Sequence, residues 1–207
     1  MFRMNNNDDA LMNTEKTDDE FWALVSRHYN DLYRFALALT GVTEDAEDTV
    51  GEAVLAAFRA FGSLRDVNSF KSFLFTICSR VHKRRLWRGS RFTPLDEAAH
   101  ESIAATASTP EMAADARLLY DAMARLPRKL REAVALFELS DCSLQEISQI
   151  QGASLSAVKA RVVRGRRKLA DLLGADEIAE RRDGAQLRKT ATPERRTFRY
   201  IPGGKLQ

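Results

Sequence analysis

The chain has 207 residues, enough for one large domain or two small ones, each with its own hydrophobic core. It contains 32 Lys and Arg against 29 Asp and Glu, so its distribution of charge is more informative than its net charge of +3. No apolar run is long enough to cross a bilayer, and the acidic start lacks the apolar core of a signal peptide. These features argue against membrane insertion and secretion and predict a cytoplasmic protein.

The sequence predicts no catalytic, cofactor or metal site. Cys78 and Cys142 are far apart and match no metal-ligand spacing, so we expect two free thiols. His28, His82 and His100 are isolated from other candidate ligands. There is no P-loop, dinucleotide fingerprint or nucleophile motif, which indicates a protein that is not an enzyme.

The chain starts with a polar segment followed by a helix. Residues 1–17 lack apolar periodicity, which predicts disorder. Thr17 and Glu20 have the spacing of a capping box, so the helix is expected to begin there. Apolar residues then recur at helical spacing from Trp22 to Leu39, and Gly41 is a plausible stop.

A second helix is predicted from about Thr43. Its polar sector contains Asp45, Asp48 and Glu52, with Leu55 among them. A single exposed Leu usually has no function. A Leu within a carboxylate-rich surface can instead be the apolar centre of a contact with a basic partner helix. Both interpretations stay open from the residues alone.

The turn residues of Gly62–Asn68 predict a loop, and Ser69 is a candidate cap for a third helix. In that helix Phe75 lies off the predicted core stripe. It lies next to cations, which include Arg80, Lys83, Arg84 and Arg85. Aromatic side chains beside cations are typical of surfaces that bind nucleic acid with unstacked bases. Burial of Phe75 inside the helical bundle is an equally open alternative.

The composition changes after the third helix. Residues 89–111 are rich in Pro, Ser, Thr and Ala without a clear stripe, which predicts a linker. The linker would separate a first domain of residues 18–88 from a second of residues 112–173. Residues 174–207 are basic and poor in apolar side chains, which predicts a disordered tail that adds nonspecific phosphate contacts.

The stretch Ser143–Leu169 has the pattern of two helices joined by a short turn. Ser143 and Glu146 form a capping box at the start of the first helix. Gly152 permits the sharp bend, and Ser154 can cap the second helix. This is the pattern of a helix-turn-helix unit.

The second of these helices has one apolar sector and one basic sector. At about 100° per residue, the apolar sector holds Val158, Val162, Gly165 and Leu169. The opposite sector holds Ser156, Ala157, Ala160, Arg164 and Arg167, with Lys159 and Arg161 at its flanks. Small side chains allow close approach to base edges, while cations reach bases or phosphates. A merely solvated basic surface is the alternative, but residues 159–168 contain no acid, which favours binding in the DNA major groove.

Two blocks together resemble a known family. The runs LVSRHYNDLYRFALALTGVTEDAEDTVGEAVLAAFRAF and FKSFLFTICSRVHKRR resemble the domain by which bacterial sigma factors bind polymerase and melt the promoter. The run LPRKLREAVALFELSDCSLQEISQIQGASLSAVKARVVRGRRKL resembles the domain that reads the upstream promoter element. With both blocks in this order, the chain resembles a sigma factor of the extracytoplasmic-function type.

The resemblance implies an all-α fold of two small helical domains joined by a flexible linker. It also implies that the protein binds core RNA polymerase and directs promoter-specific initiation, for a stress or envelope-response regulon. Asp45, Asp48, Glu52 and Leu55 match the surface that grips the clamp coiled coil of the beta-prime subunit. The loop and third helix match the reader of the minus-ten element, and Ser154–Lys168 matches the reader of the minus-thirty-five element. An anti-sigma protein is a further candidate partner, and no cofactor is implied.

The chain departs from the family at Gly51 among other positions, and two rival functions remain. Gly51 stands where the family often has Gln, and a glycine within a helix costs roughly 1 kcal/mol relative to Ala. We therefore interpret Gly51 as a site where the partner approaches closely. One rival is a polymerase-free protein that inhibits another sigma factor, and the other is a helix-turn-helix regulator that does not bind core polymerase. It accounts for the second block but not for the acidic surface of the first.

Overall fold

The computed structural model describes residues 6–87 and 109–174 and three residues between them, with side chains from Asp18 onward. These residues form an all-α fold, as predicted. The helices are α1 (Asn6–Thr40), α2 (Thr43–Ala60), α3 (Phe70–Trp87), α4 (Pro110–Ala124), α5 (Arg128–Val134), α6 (Leu144–Gln151) and α7 (Leu155–Leu173). A π-helical turn, Ala135–Leu139, continues α5. Most of the predicted linker and nearly all of the predicted tail lie outside the described residues.

Helix α1 begins earlier than the sequence predicts. It starts at Asn6, so α1 includes residues 6–17, which the sequence predicts to be disordered, and Thr17 is not a cap. Each residue added to an existing helix gains a hydrogen bond while only two dihedral angles are fixed. A helix that has already formed can therefore extend into a polar sequence. The predicted stop is confirmed, because Gly41 follows the helix with φ of 76°.

The core of the first domain is a cluster of aromatic rings between α1, α2 and α3. Phe21 is fully buried, and its ring lies 5.1–5.8 Å from those of Phe58, Phe61 and Phe70. The sequence placed Trp22 at the start of this stripe, but Trp22 is 37% exposed. The core therefore begins one residue earlier than predicted.

The turn before α3 is organised by Asp66 and not by Ser69. The Asp66 carboxylate accepts hydrogen bonds from the Asn68 backbone N–H at 3.0 Å and from the Ser69 hydroxyl at 3.2 Å. Ser69 is itself part of a short 3-10 turn, Val67–Ser69, that leads directly into α3. The expectation that Ser69 caps α3 is wrong, because Asp66 caps the 3-10 turn before α3 and the Ser69 hydroxyl donates to its carboxylate.

The helix-turn-helix follows the sequence closely. The Ser143 backbone N–H donates to Glu146 Oε2 at 2.7 Å, and the Glu146 N–H donates to Ser143 Oγ at 3.2 Å, so the capping box is confirmed. Gly152 ends α6 with φ of 58°, a left-handed conformation that glycine adopts without strain. The turn therefore aims α7 across α5, as the spacing predicts.

Helix α7 crosses α5 at Gly165. A Cβ atom on Gly165 would overlap the Cγ2 of Val134 and lie 3.5 Å from the Leu130 carbonyl oxygen. Val134 is fully buried. The glycine therefore allows the two helices to approach closely, which fixes the position of α7 relative to the rest of the second domain.

The two domains pack against each other, which the sequence did not predict. Helix α3 contacts α6, and α1 contacts α4 and α5. Arg131 of α5 is buried, and its guanidinium donates to the carbonyls of Met123, Ala124 and Leu126 at the end of α4. Because α3 is covered on two sides, its buried residues exceed a single stripe and include Cys78, Ser79 and His82.

Candidate nucleic-acid and polymerase interfaces

Helix α7 buries one narrow side. Ser154 caps it by accepting the Ala157 backbone N–H at 3.3 Å, as predicted. Its buried residues are the four of the predicted apolar sector: Val158, Val162, Gly165 and Leu169. The apolar sector is therefore confirmed, and the rest of the helix surface points away from the core.

The predicted DNA-facing sector is open to solvent. Its exposed members are Ser154, Ser156, Lys159, Ala160, Arg164 and Arg167, and Ala157 is half-buried. Arg161 differs, because its Nη1 donates to Gln151 Oε1 at 2.8 Å and its side chain is partly buried. The structure thus gathers the predicted contacts on one surface, but Arg161 is engaged within the second domain.

Sequence reasoning missed an apolar residue in this sector. Val163 is 59% exposed and lies about 140° around the helix from Val158, between Ser156 and Lys159. The same angular count that located the apolar stripe would have found it. An exposed Val on such a surface can contact the methyl group of thymine.

Arg166 has a different role from the other cations of α7. It forms an ion pair with Glu138, and its guanidinium carbon lies 4.7 Å from the centre of the Phe137 ring. A guanidinium over an aromatic ring is held by the electrostatic attraction of the ring face. Arg166 therefore attaches α7 to the π-helical turn.

The acidic face of α2, which comprises Asp45, Asp48, Glu52 and Leu55, surrounds one arginine. Arg85 Nη2 lies 2.9 Å from Asp45 Oδ1 and 3.1 Å from Asp48 Oδ2, and its Nη1 lies 2.9 Å from Glu52 Oε1. Arg84 Nη2 lies 2.7 Å from the other oxygen of Glu52. Three predicted polymerase contacts and two predicted DNA contacts therefore form one ion cluster.

The electrostatics of this cluster follow from its geometry. The hydrogen bond from Arg84 holds the pKa of Glu52 below its usual value, against the opposing effect of partial burial, with Arg85 acting in the same direction as Arg84. The Glu52 carboxylate consequently stays ionised, and the ion pairs with Arg84 and Arg85 hold the three acids in fixed orientations. Leu55, the apolar member of the acidic face, is 50% exposed.

Gly51 lies within the acidic face and is exposed. A Cβ built on it would meet nothing within 4 Å. Within the protein itself, therefore, no contact requires a glycine at this position of α2.

The prediction that Phe75 is presented to DNA is wrong for this structure. Phe75 is fully buried, with its ring 5.4 Å from that of Phe35. It belongs to the core because α3 is enclosed on more than one side. Arg80 is exposed, whereas Lys83 lies 3.3 Å from the Glu132 carboxylate of the second domain.

An open groove of about 540 Å³ lies beside Arg80, between the end of α2, the following loop and α3. Its lining is Ala56, Ala60, Ser63, Ser69, Ser72, Phe73, Thr76, Ile77, Arg80 and, from the second domain, Gln149. The volume is within the range of sites that hold small organic ligands. Hydroxyl groups, an aromatic ring and one cation line it together.

The described residues contain no group of His, Cys, Asp and Glu that could hold a metal ion. Cys78 and Cys142 are free and buried, and burial raises the pKa of each thiol to about 12. None of the helices within this part of the chain is sufficiently long and apolar to cross a bilayer.

Comparisons with known proteins agree with this organisation. The family described as Sigma-70 region 2 matches residues 24–92, and Sigma-70, region 4 matches residues 116–169. The chain is 31% identical over 156 residues to the ECF RNA polymerase sigma factor SigM of Mycobacterium tuberculosis, covering 74% of this chain and 77% of that protein. It is 29% identical over 167 residues to EcfG of Rhodopseudomonas palustris, covering 79% and 88%.

Two solved structures share the fold. The sigma factor RpoE in complex with the anti-sigma factor NepR from Bartonella quintana matches with a TM-score of 0.61 and 21% identity, over 78% of this chain and 99% of that one. CnrH in complex with the cytosolic domain of CnrY matches with a TM-score of 0.56 and 27% identity, over 77% and 90%.

Proposed function

Because the chain belongs to the extracytoplasmic-function sigma factors, which bind core RNA polymerase and promoter DNA to direct transcription initiation, we propose how it divides this work among its surfaces. The observation that carries the division is α7, which buries one apolar side and leaves Ser156, Lys159, Ala160 and Arg164 exposed on the other. Helix α7 reads the minus-thirty-five element. The first domain, residues 18–88, binds polymerase and opens the minus-ten element.

Within α7, base reading and phosphate binding fall to different residues. Arg164 and Ala160 lie opposite the buried stripe and face base edges, while Lys159 lies at the flank and meets a phosphate. Replacing Arg164 by Ala should cost about 1–3 kcal/mol at one base pair and relax the preference there. Replacing Lys159 by Ala should weaken binding to all DNA sequences alike. It should also reduce the slope of log affinity against log salt concentration by about one unit.

Promoter libraries selected with wild-type, Arg164→Ala and Lys159→Ala holoenzymes test this division, each variant serving as the other's control. The orientation of α7 would be incorrect if Lys159→Ala changed the base preference while Arg164→Ala merely weakened binding.

The acidic face binds the clamp coiled coil of the beta-prime subunit. Its exposed Leu55 supplies an apolar centre, and Asp45, Asp48 and Glu52 supply fixed negative charge for a basic partner. Asp48 is the most exposed of the three acids, so Asp48→Lys should weaken core binding without unfolding the domain.

Pull-down of core polymerase measures the effect of Asp48→Lys, with Glu20→Lys on α1 as a control of equal charge change. Glu20 is exposed and lies outside the acidic face. Wild-type recovery of core enzyme by folded Asp48→Lys protein would remove the acidic face from the polymerase interface.

The groove beside α3 receives an unpaired base of the minus-ten element. Its hydroxyl groups can donate and accept hydrogen bonds with the base, and the Phe73 ring can stack on it. Arg80 can bind the DNA phosphate next to that base. Permanganate footprints of unpaired thymines test this assignment. They should diminish with Arg80→Ala and should not change with Arg27→Ala, which alters an exposed cation of α1.

We place the protein in the cytoplasm, where core polymerase works. An anti-sigma protein is a candidate partner, because the sigma factor RpoE from Bartonella quintana was determined in complex with one. Affinity purification of the tagged chain from its host, with and without envelope stress, tests this regulation. A partner that is released under stress is expected, and a chain that stays free of any such partner in both conditions would contradict the proposal.

A further inference from the structure

A polar contact centred on Glu132 joins the two domains. Glu132 lies on α5 in the second domain and is 4% exposed. The hydroxyl of Ser79, on α3 of the first domain, donates a short hydrogen bond to Glu132 Oε1. Lys83 Nζ, one turn further along α3, lies 3.3 Å from the same oxygen. The carboxylate therefore obtains two of its partners from the other domain.

The same carboxylate connects onward to α7. Gln151 Nε2 donates to Glu132 Oε2 at 3.1 Å, and Gln151 Oε1 accepts from Arg161 Nη1 at 2.8 Å. A continuous chain of polar contacts thus runs from α3 of the first domain to α7 of the second. Arg161 is thereby engaged within the second domain and is not free to bind a DNA phosphate.

Other contacts across the boundary also end on polar atoms. Lys71 Nζ donates to the Asp141 carbonyl at 2.9 Å, and Arg131 Nη1 lies 3.5 Å from the Leu39 carbonyl. Interfaces between domains of one chain tend to be polar and to allow relative motion. Water can replace each of these partners when the domains separate.

The packed arrangement is too small to occupy a whole promoter. By their names, the minus-ten and minus-thirty-five elements lie about 25 base pairs apart, which at 3.4 Å per pair is about 85 Å of DNA. A compact body of roughly 150 residues has a radius of gyration of about 15 Å and a diameter of about 40 Å. Gln149 of the second domain also lines the groove of the first. One molecule can reach both elements only after its domains part.

We propose that this structure is a closed resting form of the protein and that Glu132 is the latch that holds it closed. Separation at Glu132 removes Gln149 from the groove, frees the two domains to span the promoter and releases Gln151 and Arg161. What opening achieves rests on the proposed function, but closure at Glu132 is a property of the free chain and can be measured without polymerase or DNA.

Small-angle X-ray scattering of the free, full-length chain measures closure directly. Lys83→Glu places a second carboxylate against Glu132, and Lys83 is exposed enough for the change to spare the fold. The loss of a charge-assisted contact should raise the ratio of open to closed protein roughly ten-fold or more, seen as a larger radius of gyration and maximum dimension. Arg59→Glu, an equal charge change on α2, is the control and should scatter as wild type does.

A second variant shows whether the effect passes through Glu132. Adding Glu132→Gln to Lys83→Glu should restore compact scattering, because the amide can donate to the new carboxylate and the repulsion is gone. Circular dichroism verifies that each variant is helical. An extended wild-type chain, or Lys83→Glu protein as compact as wild type, would overturn the latch. Start-site selection by reconstituted holoenzyme tests the sigma function separately, so each proposal can fail while the other stands.

Discussion

The same substitution should have opposite effects at two glycines of this fold. At Gly165 a Cβ overlaps Val134 Cγ2, and Val134 is fully buried, so it cannot yield by moving into solvent. At Gly51 a Cβ meets nothing within 4 Å. Both positions lie within helices, so replacement by Ala gains about 1 kcal/mol of helix propensity at each. Overpacking subtracts about 1–3 kcal/mol at Gly165 alone.

We therefore expect Gly51→Ala to raise the free energy of unfolding by about 1 kcal/mol. The free energy of unfolding of the Gly165→Ala variant should be about 1–3 kcal/mol lower than that of the Gly51→Ala variant. Urea titration followed by circular dichroism measures both. The fluorescence of Trp22 and Trp87, which belong to the first domain, shows which domain responds. If Gly165→Ala stabilised the protein as much as Gly51→Ala, the close crossing of α5 and α7 would not be a constraint on this sequence.

Two further predictions concern the first domain. Gly51→Ala should stabilise the free protein yet weaken core-polymerase binding if the partner helix approaches α2 at that point, and unchanged recovery in a pull-down would show that it does not. Burial lowers the pKa of His82 to about 4 from 6.5, opposed by Glu132 and assisted by Arg128 and Arg131 of α5 and by Lys83. The unfolded chain thus binds more protons between these pH values, so the free energy of unfolding should fall by up to about 3 kcal/mol as the pH drops from 6.5 to 4. His82→Gln should lose this part of the pH dependence in urea titrations, and a slope equal to that of wild type would contradict the assignment.

In the helix-turn-helix, predictions that depend on residues within one or two helical turns were confirmed, whereas the caps expected at Thr17 and Ser69 were wrong. The capping box of Ser143 and Glu146, the cap at Ser154 and the apolar stripe of α7 all follow from backbone geometry and a period of 3.6 residues. Such features require no knowledge of what lies elsewhere in the chain. They sufficed to orient α7 and to identify its exposed sector.

Features created by packing between distant segments were not predictable in this way. Arg85 meets Asp45 across 40 positions of sequence, and Ser79 meets Glu132 across 53. Phe75 was placed off the core stripe, with its burial left open, because a stripe calculation assumes that a helix buries one side. Helix α3 instead packs on its own domain and on the second domain, so residues outside the stripe are buried as well.

The ion cluster around Arg85 separates two roles that the sequence could not distinguish. Arg85 is 20% exposed and is held by three carboxylates, whereas Arg80 is exposed beside the groove. A phosphate that bound Arg85 would first have to displace those acids.

Arg85→Ala should therefore weaken core binding, because the acids of α2 then repel one another and lose their fixed orientation. The same variant should leave the salt dependence of promoter binding unchanged. Arg80→Ala should flatten that dependence by about 0.9 units for the one phosphate lost. Promoter affinity of holoenzyme, measured across a salt series for both variants, decides between the roles: a flatter slope with Arg85→Ala would show that DNA competes successfully for this arginine.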